Sequence, residues 1–238
     1  FSLTHDTGEV GLLIAHTLLS HIGVTMAPKA PAAPAAASLE SVRQGSPGIR
    51  EISVEANMDV VTFITQSLMQ VQLRLLATCE GLTREQVLWR PSPISNNIGW
   101  ILWHVARGED RRICSLRDGQ PMLWVSERWH ERFGQPVDAP APGDRMGLRS
   151  LPIPDLEVLI AFSKAAFQQT MAYLATLTAD GLDVAPDPSR PEHTVASAMR
   201  HLVTHKNNHH GQIDFIRGLQ DEAWDLPPGT GVVLPPLS

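Results

Sequence analysis

Cysteine is almost absent from this chain, with two in 238 residues, Cys79 and Cys114, both inside apolar helical patterns. That excludes a disulfide framework, points to a reducing, cytoplasmic compartment, and makes each thiol first of all a small buried hydrophobe. Basic runs are missing as well. The formal net charge is −6, scattered along the chain, so no row of cations is available to neutralise phosphates and nucleic acid is not an expected partner. There is no stretch of about eighteen uncharged apolar residues, so no membrane span is expected. H-E-x-x-H, a Gly-rich phosphate loop, G-x-S-x-G and paired Cys-x-x-Cys are all missing, and with them the main support for zincin proteases, nucleotide enzymes, serine hydrolases and zinc ribbons. What remains is an expectation of a small-molecule substrate; a homodimer is compatible with the pattern but not specified by it.

Strand-like alternation is lacking between Met58 and Gln220, and helical periodicity fills the space. Residues 1–57 read differently. "GLLIAHTLLSHIGVTMA" is apolar but carries His16 and His21 without the basic flank of a secretory signal. "APKAPAAPAAAS" has too little side-chain bulk to pack and behaves as a linker. The expectation for 1–57 is a disordered or non-native extension outside the fold, with Met58 as an alternative start. Apolar residues then recur at three- and four-residue intervals from Asp59 to Gly81, and again from a Ser95 N-cap to Gly119. Pro154 and Asp155 open a third helix that stops near Asp180, and Thr194 caps a fourth that runs to Gln220. Residues 120–153 hold five prolines, with Pro154 just beyond, and are expected to be mainly loop, with a short helix at "SERWHERF". Residues 221–238 form a Pro-rich tail. Four amphipathic helices of similar length bury their stripes against each other, so 58–220 is expected to be an all-α four-helix bundle with a long loop between helices two and three.

The stretch "HLVTHKNNHHGQIDFIRGL" sets the functional question. On a helical wheel Val195, Ala198, Leu202, Ile213 and Ile216 define the buried face, His205 and His209 fall in it or at its edge, and His201 sits at the margin. His210 points about 100° away from His209, toward solvent. Two inward imidazoles one turn apart can share a cation, and burial of both without partners would be costly. The second helix offers a third at His104, with Asn97, Gly108, Arg111 and Ser115 within about 40° of it. A core histidine bonded to a backbone carbonyl is the competing reading. Glu127 and His130 form a single E-x-x-H pair, where a di-iron bundle needs two. Trp100, Trp103, Trp124 and Trp129 can wall a pocket or fill core.

"SNNIGWILWHVARGED" and "HKNNHHGQI" resemble the second-helix segment and the last-helix H-x-x-x-H-x-G-Q-I signature of the DinB-like proteins, which include thiol-dependent S-transferases and isomerases. The likeness covers roughly residues 58–220. It implies metal ligands at His104, His205 and His209, with His210 standing where the family more often has Arg. It also implies a low-molecular-weight thiol as co-substrate.

A three-histidine site leaves the ion's charge uncancelled and a position open. Bound water can then act as hydroxide, or a substrate thiol can bind as thiolate. Zinc or nickel is the expected divalent ion, although imidazole also suits copper and iron. Arg111 is a candidate to hold a carboxylate of the co-substrate, against the plainer reading of a surface arginine, and Gln212 a candidate partner of the ligands. No catalytic residue is assigned. The leading expectation is a metal-dependent thiol transferase or isomerase. The alternatives are a non-catalytic metal-binding stress-response or binding module and a metal-dependent hydrolase.

Overall fold

The structure is a computed structural model and describes residues 58–117 and 119–234; the extension 1–57 and the end of the tail lie outside the described residues. Among the described residues there are eight α-helices, one 3-10 turn and no strand. Four helices are long: α1 (Val60–Cys79), α3 (Ile98–Leu116), α7 (Leu156–Leu174) and α8 (Val195–Gln220). Four are short: α2 (Arg84–Leu88), α4 (Leu123–Ser126), α5 (Trp129–Phe133) and α6 (Arg145–Ser150). The all-α bundle expected from periodicity is what forms.

Local chemistry sets the helix starts. Asp59 accepts from Thr62 N at 2.9 Å, and Thr194 from Ser197 N at 3.2 Å. Thr83 and Gln86 close a reciprocal capping box on α2. Ser95 does not cap α3 as expected. Asn97 does, its Oδ1 accepting from Trp100 N at 2.7 Å, while Ser95 bonds Ser92 Oγ at 2.7 Å. Both residues are good caps by type, and the choice falls to Asn97 because its Nδ2 also reaches Leu88 O at 3.4 Å, tying α3 to the end of α2.

The pairings give the topology. Gly99 faces Leu159, and Glu109 bonds Thr170, so α3 and α7 run parallel. His104 meets His205 and His209 while Gly108 faces His205, so α3 and α8 run antiparallel. Parallel neighbours need the chain to return the whole length of α3, about 28 Å for its 19 residues. That return is the long connection of residues 117–155. It holds three short helices, α5 lying within the segment expected to be helical, α4 ending on that segment's first residue, Ser126, and α6 outside it. A Cβ at Gly99 would stand 2.5 Å from Ile153 Cγ2 and 2.8 Å from Val87 Cγ1, so the end of this connection presses on α3 where only glycine fits.

Helix α1 has the length and hydropathy of a membrane-crossing segment, but 50% of its apolar window is packed inside the bundle against α8 and α7. The core divides in two. One cluster includes Leu75, Ile101, Phe162 and Ile213, the other Leu68, Ile113, Phe167 and Leu202. Each long helix contributes to both, and at the level where each changes over it buries polar groups: Gln72, Glu109, Ser163 and Lys206. A polar belt therefore crosses the middle of the bundle.

Candidate metal centre

Helix α3 carries His104 and α8 carries His205 and His209, and their candidate ligand atoms lie within 4.8 Å of one another. His104 Nε2 is 3.1 Å from His205 Nε2. Two bare nitrogens so close repel, and a shared proton or a shared cation reconciles them. Nitrogens on a tetrahedral zinc ion, each ~2.0–2.1 Å from it, stand about 3.3 Å apart, so the separation suits a common ion. His209 Nδ1 donates to Gln212 Oε1 at 3.0 Å, which fixes its tautomer and leaves Nε2 bare. Trp100 lies flat against His104, ring centroids 4.9 Å apart at 9°, and anchors itself through Nε1 to Leu148 O at 2.9 Å. Gly108 gives His205 its room, since a Cβ there would sit 3.5 Å from His205 Cε1 and a longer side chain would displace the ring.

The electrostatics keep the rings neutral. Burial first, then the proton His209 would carry in competition and the positive charge of Arg111, push His104 down to about 4. Burial, with His209, His104 and His201 beside it, pushes His205 down to about 3. His209 is lowered by burial against the opposing bond to Gln212. Neutral imidazole is the ligand form. A consequence for the metal-free protein follows from linkage. Below the ordinary histidine value the unfolded chain takes up protons that the folded rings refuse, so this contribution to stability is whole above pH 6.5, declines as pH falls below it, and is fully lost by about pH 4 for His104 and 3 for His205. With solvent screening on the pocket side, each ring should cost about 1–2 kcal/mol at pH 4. Thermal unfolding of metal-free protein between pH 7 and 4 should show the decline, and His205→Ala should flatten it.

His104 lines one wall of a pocket of ≈ 740 Å³, within the range of small-molecule sites. Helix α3 supplies Trp103, Arg107 and Arg111, and the long connection supplies the far side, from Asp138 to Arg149. Arg111 is exposed at this pocket. Asn97 is not there; it is buried as the α3 cap, and its neighbour Asn96 lines the pocket instead. The wheel erred because an N-cap leaves the helical path. Ser115 is exposed and does not line the pocket.

His210 is a second correction. It is buried, with Nε2 2.9 Å from Thr78 Oγ1. Thr78 gives its own proton to Arg74 O at 2.8 Å, so His210 donates to it. The wheel drew the buried face through apolar residues alone, but the face also takes in Lys206 and centres on Met199, Leu202, Lys206, His210 and Ile213. His205 and His209 thus stand at its half-buried margin toward α3. His201 is exposed and stacks on His205 at 5.3 Å.

Other candidates fall elsewhere. Glu127 accepts from Trp129 Nε1 at 3.0 Å, and neither it nor His130 joins the triad. Trp124 and Trp129 are core, packed on Phe162 at 5.5 and 5.2 Å. Cys79 is fully buried with its thiol pushed up to about 12, and Cys114, also raised by burial, donates to Gln120 O. Neither is a poised thiolate.

Sequence reading missed the groups that fix this frame. Lys206 Nζ and Glu109 Oε2 form a buried ion pair at 2.6 Å, and Thr170 Oγ1 donates to Glu109 Oε1 at 2.8 Å. Asp110 is buried, its carboxyl raised by burial, and accepts from Leu123 N and Trp124 N at 2.9 and 3.0 Å, pinning the long connection to α3. The available signal was charge on helix faces that must be inside, at "GED" and at Lys206.

Fold and site together define a helical bundle with a three-histidine cluster able to hold a metal ion beside a pocket of small-molecule size. The model of the DinB superfamily matches residues 67–213, and the chain belongs to that family. A solved structure described as a conserved protein from Enterococcus faecalis shares the fold, at 22% identity and a TM-score of 0.61 over 68% of this chain and 97% of that one. None of the curated proteins matches the chain.

Proposed function

We propose that this protein is a divalent-metal-dependent enzyme that works through a low-molecular-weight thiol, of the S-transferase or isomerase type, with zinc or nickel held by His104, His205 and His209. The observation that carries this reading is the meeting of three imidazoles, one of which, His104, lines a pocket of small-molecule size. An open-sided divalent ion supplies the acidity that turns a thiol into a thiolate near neutral pH. The chain's own part is to orient and exclude. Gln212 and Trp100 hold the rings, and Trp103 and the long connection shield one side of the pocket from water. Since both cysteines are buried or half-buried with raised pKa, the thiol of this reading comes from outside the chain. A cytoplasmic setting, where small thiols stay reduced, belongs to the same proposal.

The test is a turnover screen of metal-loaded protein with several biological thiols and an electrophilic acceptor. Consumption of the acceptor that needs both metal and thiol is the expected result. Turnover without thiol would replace this reading with hydrolysis, and thermal stabilisation without turnover would replace it with a binding module.

A further inference from the structure

The chain is acidic overall, yet the pocket beside His104 gathers positive charge. Arg107, Arg111, Arg145 and Arg149 line it, against the single carboxylate of Asp138. They come as two pairs, each one helical turn apart: Arg107 and Arg111 on α3, Arg145 and Arg149 on α6. None pairs with a carboxylate among the described residues, whose Lys and Arg ion pairs are Arg84–Asp155, Arg128–Glu131 and Lys206–Glu109. Arg107 spends one N–H on the weak acceptor Met122 Sδ at 3.0 Å and rests its cation over Trp124. Its Nε is buried without an acceptor, and so are Arg149 Nε and Trp103 Nε1. Buried donors seldom go unmet; the carboxylates of Asp110 and Asp138 act on Arg107 from beyond ion-pair distance, and the four guanidiniums still leave a positive surplus that attracts anions in a concave, partly desolvated site.

We propose that the pocket binds a small organic dianion, its two planar oxyanion groups bridged between the arginine pairs of α3 and α6 and its apolar body against Trp103 and Leu148. This rests on the reading of the pocket as the substrate site. Guanidinium suits the role because its fork matches a carboxylate's two oxygens, whereas one uncompensated arginine would have suited a simpler ligand. The substrate or the thiol co-substrate thus carries at least two acidic groups.

Calorimetric titration of the full chain, metal-free and metal-loaded, with glutarate, butyrate and glutaramide tests this. Glutarate is expected to bind at least about tenfold more tightly than butyrate, with no measurable heat from the uncharged glutaramide. Arg111→Gln, at an exposed position, and Arg149→Gln should each weaken glutarate about tenfold with helicity and metal content unchanged. Equal binding of diacid and diamide, glutarate affinity untouched by either substitution, or no glutarate binding at all would overturn the proposal. Arginine-dependent glutarate binding by protein that takes up no metal would support the proposal while removing the metal-dependent function. Metal uptake without arginine-dependent glutarate binding would do the reverse.

Discussion

Replacing His104 with alanine should leave a folded protein whose affinity for a divalent ion has fallen by more than the roughly 10–100-fold typical of losing an outer hydrogen-bond partner. The ring contributes one of only three nitrogens, and it is the one that comes from α3. His205 and His209 alone, one turn apart on α8, offer two ligands on a single face, and with no carboxylate joining the cluster among the described residues such a site holds a cation weakly. Folding should survive, because His104 is half-buried at the pocket wall and its loss removes a stacked contact with Trp100 rather than a core group. His209→Ala should behave alike. Gln212→Leu provides the graded comparison: it releases the Nδ1 of His209 without touching a ligand atom, so its loss should stay within about 10–100-fold. Competition against a coloured chelator, with circular dichroism on each variant, reads all three. Unchanged affinity in both His104→Ala and His209→Ala would remove the centre.

Much of the bundle was legible because its signals are local. Asp59 and Thr194 cap where their types and positions indicate, and the apolar spacing of α1, α3, α7 and α8 is long enough to average out noise. The parallel pairing of α3 and α7 was not legible. Periodicity assigns a buried face to each helix but not the neighbour that covers it, although the length of the 117–155 connection follows from that pairing once it is known. The same limit explains the site. His205 and His209 were found as a spacing, but their true position at the margin of the buried face depends on Lys206 and His210 being inside, and charge argues against burial until a partner is identified. Glu109 is that partner, 97 positions away in the chain. The pocket arginines were dispersed likewise. Arg111 was visible beside His104 on the helix, while Arg145 and Arg149 join it only because Asp110 and the parallel return bring the long connection over α3.

The largest effect on stability is expected at the polar belt. Lys206→Met alone would leave Glu109 buried, 1% exposed, with Thr170 as its remaining partner, and an uncompensated buried carboxylate costs about 3–5 kcal/mol. For a bundle of this size that is a fall in Tm of roughly 8–15 °C. The double variant Lys206→Met with Glu109→Leu should recover most of the loss. Both charges leave together, Met fills the space over Phe167 where the lysine lay at 4.8 Å, and the single Thr170 hydroxyl proton, released from Glu109, turns to Ala166 O 3.1 Å away. A stability test alone treats the pair as any buried ion pair. Its position adds a second consequence. Glu109 lies five residues beyond His104 on α3, and Lys206 is next to His205 on α8, so the pair clamps two antiparallel helices one turn from the point where their imidazoles must meet. Apolar packing would let α3 and α8 slide in small steps, whereas a 2.6 Å charge-assisted bond tolerates none. The double variant should therefore be stable but bind the ion more weakly, with a broadened cobalt spectrum reporting several ligand geometries. Recovery of Tm together with an unaltered cobalt spectrum would show that the apolar clusters alone set the register and that the ion pair has no part in building the centre.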